Sequence, residues 1–218
     1  MALAPDIARF MNNARLRLTG ATDDVLQQEL FNTMDDFFKG SNVWCEDIDF
    51  PVPGQDPANT IYYITSDTPS LIDKLAWVFE VPPSSTIGRG AQIGAAMQIP
   101  GQLTLAVQPS SAKTYRATVV LTVQDPTTRL GYVTFPAWVL AKYRDRILDG
   151  LLGKMYSQPS KPYTNTQLSV FHMRKFKIGI AGARVEWTRN NTYRQQAWRF
   201  PAFAGGSQRG SSGWGGPV

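Results

Sequence analysis

The strongest constraint on this chain is a change of period along it. From Val25 to Phe38, and again from Val139 to Met155, large apolar side chains recur every three and four positions, the signature of a helix with one buried face. Between Val43 and Gln124 the pattern becomes short runs of β-branched and aromatic residues, broken by Pro51–Pro57, Pro82–Ser85 and Pro109–Ser111. A helical period does not settle as a strand, nor the reverse, so the sequence predicts helices at both ends and a β-rich middle.

Boundaries follow from capping and turn chemistry. A first helix covers about Pro5 to Leu18, opened by Pro5 or Asp6 and closed by Gly20. A second begins at Thr22, carries Asp23 and Asp24 in its electropositive first turn, and stops at Gly40. Candidate strands are Trp44–Phe50, Thr60–Thr65, Leu71–Glu80, Ala91–Ile99, Leu103–Gln108 and Thr114–Gln124. Leu71–Phe79 could also open a short helix after Pro69; the strand is preferred because Trp77, Val78 and Phe79 run into a Pro-Pro break. Helical period returns at Pro136 and stops at Gln158-Pro159. A longer helix follows from about Asn165 to Asn191, with Leu168, Phe171, Phe176, Ile180, Ala183 and Trp187 as apolar positions and Arg174, Lys175, Lys177, Arg184 and Arg189 between them. Gly179 and Gly182 lower its helical propensity by about 1 kcal/mol each relative to Ala, and close approach of another helix is the physical reason for keeping them.

The predicted fold class is therefore α+β: a helical bundle frame of two N-terminal helices (1–42) and two C-terminal helices (131–197), an inserted antiparallel β-sheet or sandwich (43–130), and a flexible tail (198–218). The tail is Gly-rich, yet Trp198, Phe200, Phe203 and Trp214 punctuate it, which suits either a docking arm that orders on a partner or a disordered end.

With 218 residues the chain buries a core without disulfides or metals. Cys45 is the single cysteine, so it has no intramolecular partner and reads as a packing residue. No apolar run reaches the roughly 20 residues of a membrane span, and Met1–Phe10 lacks a signal-peptide pattern, so a soluble protein made in the cytoplasm is expected. Charge is unevenly divided: residues 1–136 hold 9 Lys and Arg against 14 Asp and Glu, and residues 137–218 hold 13 against 3. The basic third suits nucleic acid, an acidic protein surface, or simply a solvated helix face.

A search for catalytic residues yields little. His172 is the only histidine, so Ser-His-Asp, Cys-His and His-based metal schemes all fall on one residue in a basic helix, where a packing or surface role is the simpler reading. Gly88-Arg89-Gly90 through Gly94 follows a proline-rich loop rather than a strand, so the dinucleotide-binding context is missing. Glu46, Asp47 and Asp49 could hold a cation or form a solvated acidic strand. No catalytic residue, metal ligand or cofactor is assigned. No zinc-finger, basic-zipper or RNA-recognition pattern occurs, so any DNA contact is expected to be indifferent to sequence.

The order helix, helix, β-rich insert, helix, long helix, aromatic Gly-rich tail meets specific words in the chain. Phe135-Pro136-Ala137-Trp138-Val139-Leu140, Lys142-Tyr143-Arg144-Asp145, Ile147-Leu148-Asp149-Gly150-Leu151-Leu152, Gln158-Pro159-Ser160-Lys161-Pro162-Tyr163, Phe176 through Arg184, and Trp198-Arg199-Phe200-Pro201 resemble the corresponding stretch of head-to-tail adaptor (connector or neck) proteins of tailed bacteriophages. The likeness is carried by residues 135–204, and over 5–130 by element order alone. It implies a virion structural protein with no enzymatic activity: a homo-oligomeric ring, a dodecamer in the family, seated between the portal protein and the tail nozzle or tube, with double-stranded DNA passing through it. It also implies that Trp198, Arg199, Phe200, Pro201, Phe203 and Trp214 grip the portal. A conduit that held DNA tightly would stall ejection, so many of Arg174, Lys175, Lys177, Arg184 and Arg189 are expected to pair with acidic patches on neighbours or the portal, such as Asp35, Asp36 or Glu46, more than with DNA. The alternatives are another tail-tube or neck subunit, a sequence-independent DNA-binding protein, and a hydrolase built on the acidic strand around Asp47.

Overall fold

The computed structural model describes residues 5–57, 59–68, 70–82, 90–124 and 135–191. Helix α1 (Pro5–Arg15) buries Phe10, Met11 and Ala14, and the turn that follows it buries Leu18 before Gly20, at φ +87°, reverses the chain. Helix α2 (Asp23–Ser41) starts after Thr22, whose extended backbone offers its carbonyl to Leu26 while its hydroxyl makes no capping bond. The stop is Asn42, in the left-handed region at φ 59°, and not the expected Gly40. Gly40 lies inside the helix, and a Cβ there would lie 2.7 Å from Ile180 Cγ2 on another helix. The glycine marks a close approach where the sequence suggested an end.

Seven strands follow: β1 (Cys45–Val52), β2 (Ile61–Tyr63), β3 (Ser70–Glu80), β4 (Gln92–Ile93), β5 (Ala95–Ile99), β6 (Gln102–Leu105) and β7 (Lys113–Val123). They form a four-stranded sheet in the order β1-β7-β3-β4 and a three-stranded sheet in the order β2-β6-β5, every pair antiparallel. Leu71–Glu80 is a strand, as preferred from sequence. The single strand expected over Ala91–Ile99 is two, divided at Gly94, with β4 edging one sheet and β5 the other.

Strand β7 explains the cohesion of the insert. Its run Tyr115–Val123 is buried apart from half-covered Arg116, as expected of a strand covered on both sides. Tyr115, Ala117 and Val119 share a face with Phe50 and Ile48 across the β1 pairing, and Phe50 meets Tyr62 of the second sheet at 5.8 Å between ring centroids. On the opposite face Thr122 donates to Asp35 of α2 (2.6 Å), and neighbouring Lys74 donates to the Lys39 carbonyl (2.7 Å). The insert thus rests on α2, and one apolar core runs through helices and sheets.

Helix α3 (Ala137–Ser157) begins after Pro136 and bends at Tyr143 (φ −115°, ψ 16°), whose ring lies 5.3 Å from that of Phe37. Helix α4 (Thr166–Asn191) opens with Asn165, whose side-chain oxygen accepts from the Leu168 N–H at 3.1 Å. These two helices pack closely because their contact is lined with glycine. A Cβ on Gly150 would sit 2.6 Å from Thr33 Cγ2 and 2.7 Å from the Phe176 ring, and one on Gly179 would sit 3.0 Å from the Arg146 side chain. Gly182 has ordinary room, so the close-approach argument holds for Gly179 and not for Gly182. The boundary expected between insert and C-terminal helices falls in 125–134, and the tail 198–218, for which docking was one expectation, lies beyond α4; both are outside the described residues.

Candidate interaction surface

The inner face of α4 is set by Ser169, His172, Met173, Phe176, Gly179, Ile180 and Ala183, a three-and-four spacing that turns steadily toward α2 and α3. Phe176 is fully enclosed and its ring lies 6.3 Å from that of Phe37. Ser169 donates to the Gly153 carbonyl at 2.7 Å. At the end of α4, Trp187 stacks on Trp77 of β3 with centroids 5.0 Å apart and rings 15° from parallel, which ties the frame to the insert.

Two of the apolar positions named from sequence lie on the solvent side. Leu168 and Phe171 are exposed, and with them Val170 (65% exposed), Ile178 (64%) and Val185 (50%) form a second apolar stripe on the solvent side of α4. At 100° per residue, Val170, Ile178 and Val185 fall within one quadrant, roughly opposite Phe176. Val170, Ile178 and Val185 are not among the apolar positions named from sequence; their spacing of eight and seven was the available signal. Arg174, Lys175, Lys177, Arg184 and Arg189 are all exposed and surround the stripe. Lys175 reaches over the Phe171 ring at 4.6 Å. Among the described residues none of these five cations is in an ion pair.

The acids once matched to them are already engaged. Asp35 binds Lys39 (2.7 Å) and Thr122, Asp36 binds Lys154 (2.6 Å), and Glu46 accepts from Ser66. Any pairing of the α4 cations with these acids on another copy would therefore be made alongside contacts that the acids already hold within the chain. The acidic strand is likewise occupied rather than merely solvated: Asp47 accepts from Thr118 (2.5 Å), and Asp49 accepts from Nε and Nη2 of Arg116 at 2.6 and 2.7 Å. The Arg116 guanidinium holds the Asp49 carboxyl below its ordinary range. Among the described residues no group of three or more His, Cys, Asp or Glu is placed to hold a metal ion. Cys45 is half-buried, with its thiol on the Asn42 carbonyl (3.1 Å).

His172 touches Asp149 through Nδ1 at 2.7 Å, across the α3–α4 contact. An Asp-His pair orients an imidazole, but nucleophilic catalysis also needs a hydroxyl or thiol on its other nitrogen. The nearby Ser169 hydroxyl is directed to Gly153 instead. A second polar tie joins the helices at Lys142, Glu186 and Tyr143, where the ammonium keeps the Glu186 carboxyl low, and burial followed by the Glu186 contact raises the Tyr143 hydroxyl. Two shallow clefts, about 220 Å³ by Arg9 and Arg144 and about 350 Å³ by Lys74 and Gln92, each lack a nucleophile beside a base.

The three-stranded sheet leaves a second uncovered surface of different character. Ile61, Tyr63 and Ile99 are exposed on it, and residues 59–66 and 90–112, which contain all of β2, β5 and β6, hold no charged side chain. Trp198, Arg199, Phe200, Pro201, Phe203 and Trp214 are outside the described residues. No helix among the described residues is long and apolar enough to cross a membrane. No family model matches the chain, and no curated protein matches it.

Proposed function

We propose that this chain is a structural subunit of a tailed-bacteriophage neck, a head-to-tail adaptor that assembles as a ring of identical copies between portal and tail nozzle and lets DNA pass. The observation that carries the reading is the outer face of α4, apolar and basic over much of a helix about 39 Å long, with nothing among the described residues covering it. An exposed apolar stripe of this length marks an interaction site. The element order and the words over 135–204 that resemble the adaptor family supply the particular assembly. In this reading α3 and α4 form the wall, the insert reaches toward tail proteins, and residues 198–214 hold the portal. No reaction is assigned to it.

Negative-stain images of the purified chain, alone and mixed with a portal ring, test the proposal. Rings that stack on the portal are the expected result; single particles in both samples would overturn it. The +10 charge of residues 137–218 favours one other reading, a sequence-independent DNA-binding protein. Tight duplex binding by the isolated subunit, falling steeply with salt, would support that alternative.

A further inference from the structure

The outer face of α4 has a finer order than a stripe. Phe171, Arg174, Ile178, Ala181 and Val185 follow one another in steps of three, four, three and four, and all five are exposed. Steps that average 3.5 residues make a seam along which a second helix can lie, and the residues at the two edges of the seam choose that partner. One edge here carries Lys177 and Arg184, and the other carries Lys175 and Arg189 with Gly182 between them. Neither edge holds a carboxylate. Ala181, small in the middle of the seam, leaves room for a large apolar side chain from the partner.

This chain does not supply the opposite charge. Two α4 seams set face to face would bring cations against cations. The acids of α2 are already engaged, Asp23 with Arg15, Asp35 with Lys39, Asp36 with Lys154, and Glu29 with Gln158. Asp24, Asp67 and Asp145 have no ion pair or hydrogen bond among the described residues, but they lie on three different elements and make no acidic face. Residues 83–89, 125–134 and 192–218 contain one acid, Asp125. A DNA duplex would satisfy the cations, but it would lay phosphates over Phe171, Ile178 and Val185 and forgo the burial of their apolar surface.

We infer that the outer face of α4 docks a helix from a different protein chain, one whose apolar row is edged with Glu or Asp. Phe171, Ile178 and Val185 lie against that row, and Lys175, Lys177, Arg184 and Arg189 meet the acids beside it. The inference rests on the proposed reading of this face as an assembly surface. It gives the face to a non-identical neighbour and leaves the contact between identical copies to other surfaces.

A synthetic peptide of about four heptads, with Leu at both seam positions and Glu at both edges, is the probe. Its own edges repel, so it is free to pair with a basic seam. Controls are the same peptide with Lys at the edges and a scrambled peptide of the same acidic composition. Sedimentation velocity follows a dye on the peptide, and the urea midpoint establishes that each protein variant is folded. The acidic peptide is expected to bind about 100-fold more tightly than either control, and less tightly as salt rises. Ile178→Ser with Val185→Ser should weaken it about 10-fold, and Lys177→Glu with Arg184→Glu about 100-fold while admitting the Lys peptide instead. Equal binding of the scrambled peptide, or no effect of either pair of substitutions, overturns the inference. So does a DNA duplex that binds more tightly than the peptide and is released by Lys177→Glu with Arg184→Glu, which gives the face to nucleic acid. Self-association of the unaltered chain that the acidic peptide competes away overturns it too, in favour of a second copy. Rings that stack on the portal while the peptide fails to bind leave the adaptor reading standing without this partner; peptide binding by a chain that forms no rings keeps the partner and removes the ring.

Discussion

The two faces of α4 hold comparable apolar side chains and meet different fates. Inside, Phe176 and Ala183 press against α2 and α3 where glycines have removed the intervening Cβ atoms; outside, Val170, Ile178 and Val185 stand more than half or half exposed among cations. Hydrophobicity alone therefore does not decide which side of this helix is core. What decides it is shape, because helices approach closely only where Gly150 and Gly179 leave room. The inner face is committed to folding, and the outer face is available for association.

Substitutions can break or sharpen that contrast. Phe176→Ala should have the largest effect, about 4 kcal/mol of lost stability in urea unfolding, because it empties the space between Phe37 and Gly150. Gly150→Ala comes next. Helix propensity alone would make it stabilising by about 1 kcal/mol, but overpacking against Thr33 and Phe176 should leave a net loss of about 1–2 kcal/mol, and a gain would break the argument from shape. A smaller effect is expected in the insert. The folded-state pKa of Asp49 lies below its ordinary value near 3.8, so its pairing with Arg116 contributes fully above that value and is lost as pH falls through the lowered one. Because Asp49 is 44% exposed the contribution is screened, and Asp49→Asn should flatten the acid limb of a stability-against-pH curve by less than about 1 kcal/mol. Smallest of all, Ile178→Ser with Val185→Ser should shift stability by no more than about 0.5 kcal/mol while changing the sedimentation of the assembled protein. A large loss of stability in the monomer would show that the outer stripe is core after all.

Much of the fold was written in local pattern. The α2 residues Leu26, Leu30, Met34, Phe37 and Phe38, and the α3 residues Val139, Leu140, Tyr143, Ile147, Leu151, Leu152 and Met155, are all buried as their spacing predicts. The strand identity of Leu71–Glu80 was legible from its aromatic and β-branched run. The candidate surface was legible only in part. Its cations could be named from sequence, but the outward trio Val170, Ile178 and Val185 could not, and only the structure shows that Leu168 and Phe171 are exposed.

By itself the sequence determined the order of helices and strands, the uneven charge and the inner stripes of α2 and α3, since these depend on neighbours within a few residues. Only the tertiary structure decided that Gly40 continues a helix, that Gly94 divides one strand between two sheets, and which apolar stripe of α4 stays uncovered. Those outcomes turn on side chains far away in the chain, such as Ile180 against Gly40 and Arg146 against Gly179, and no local period carries that information.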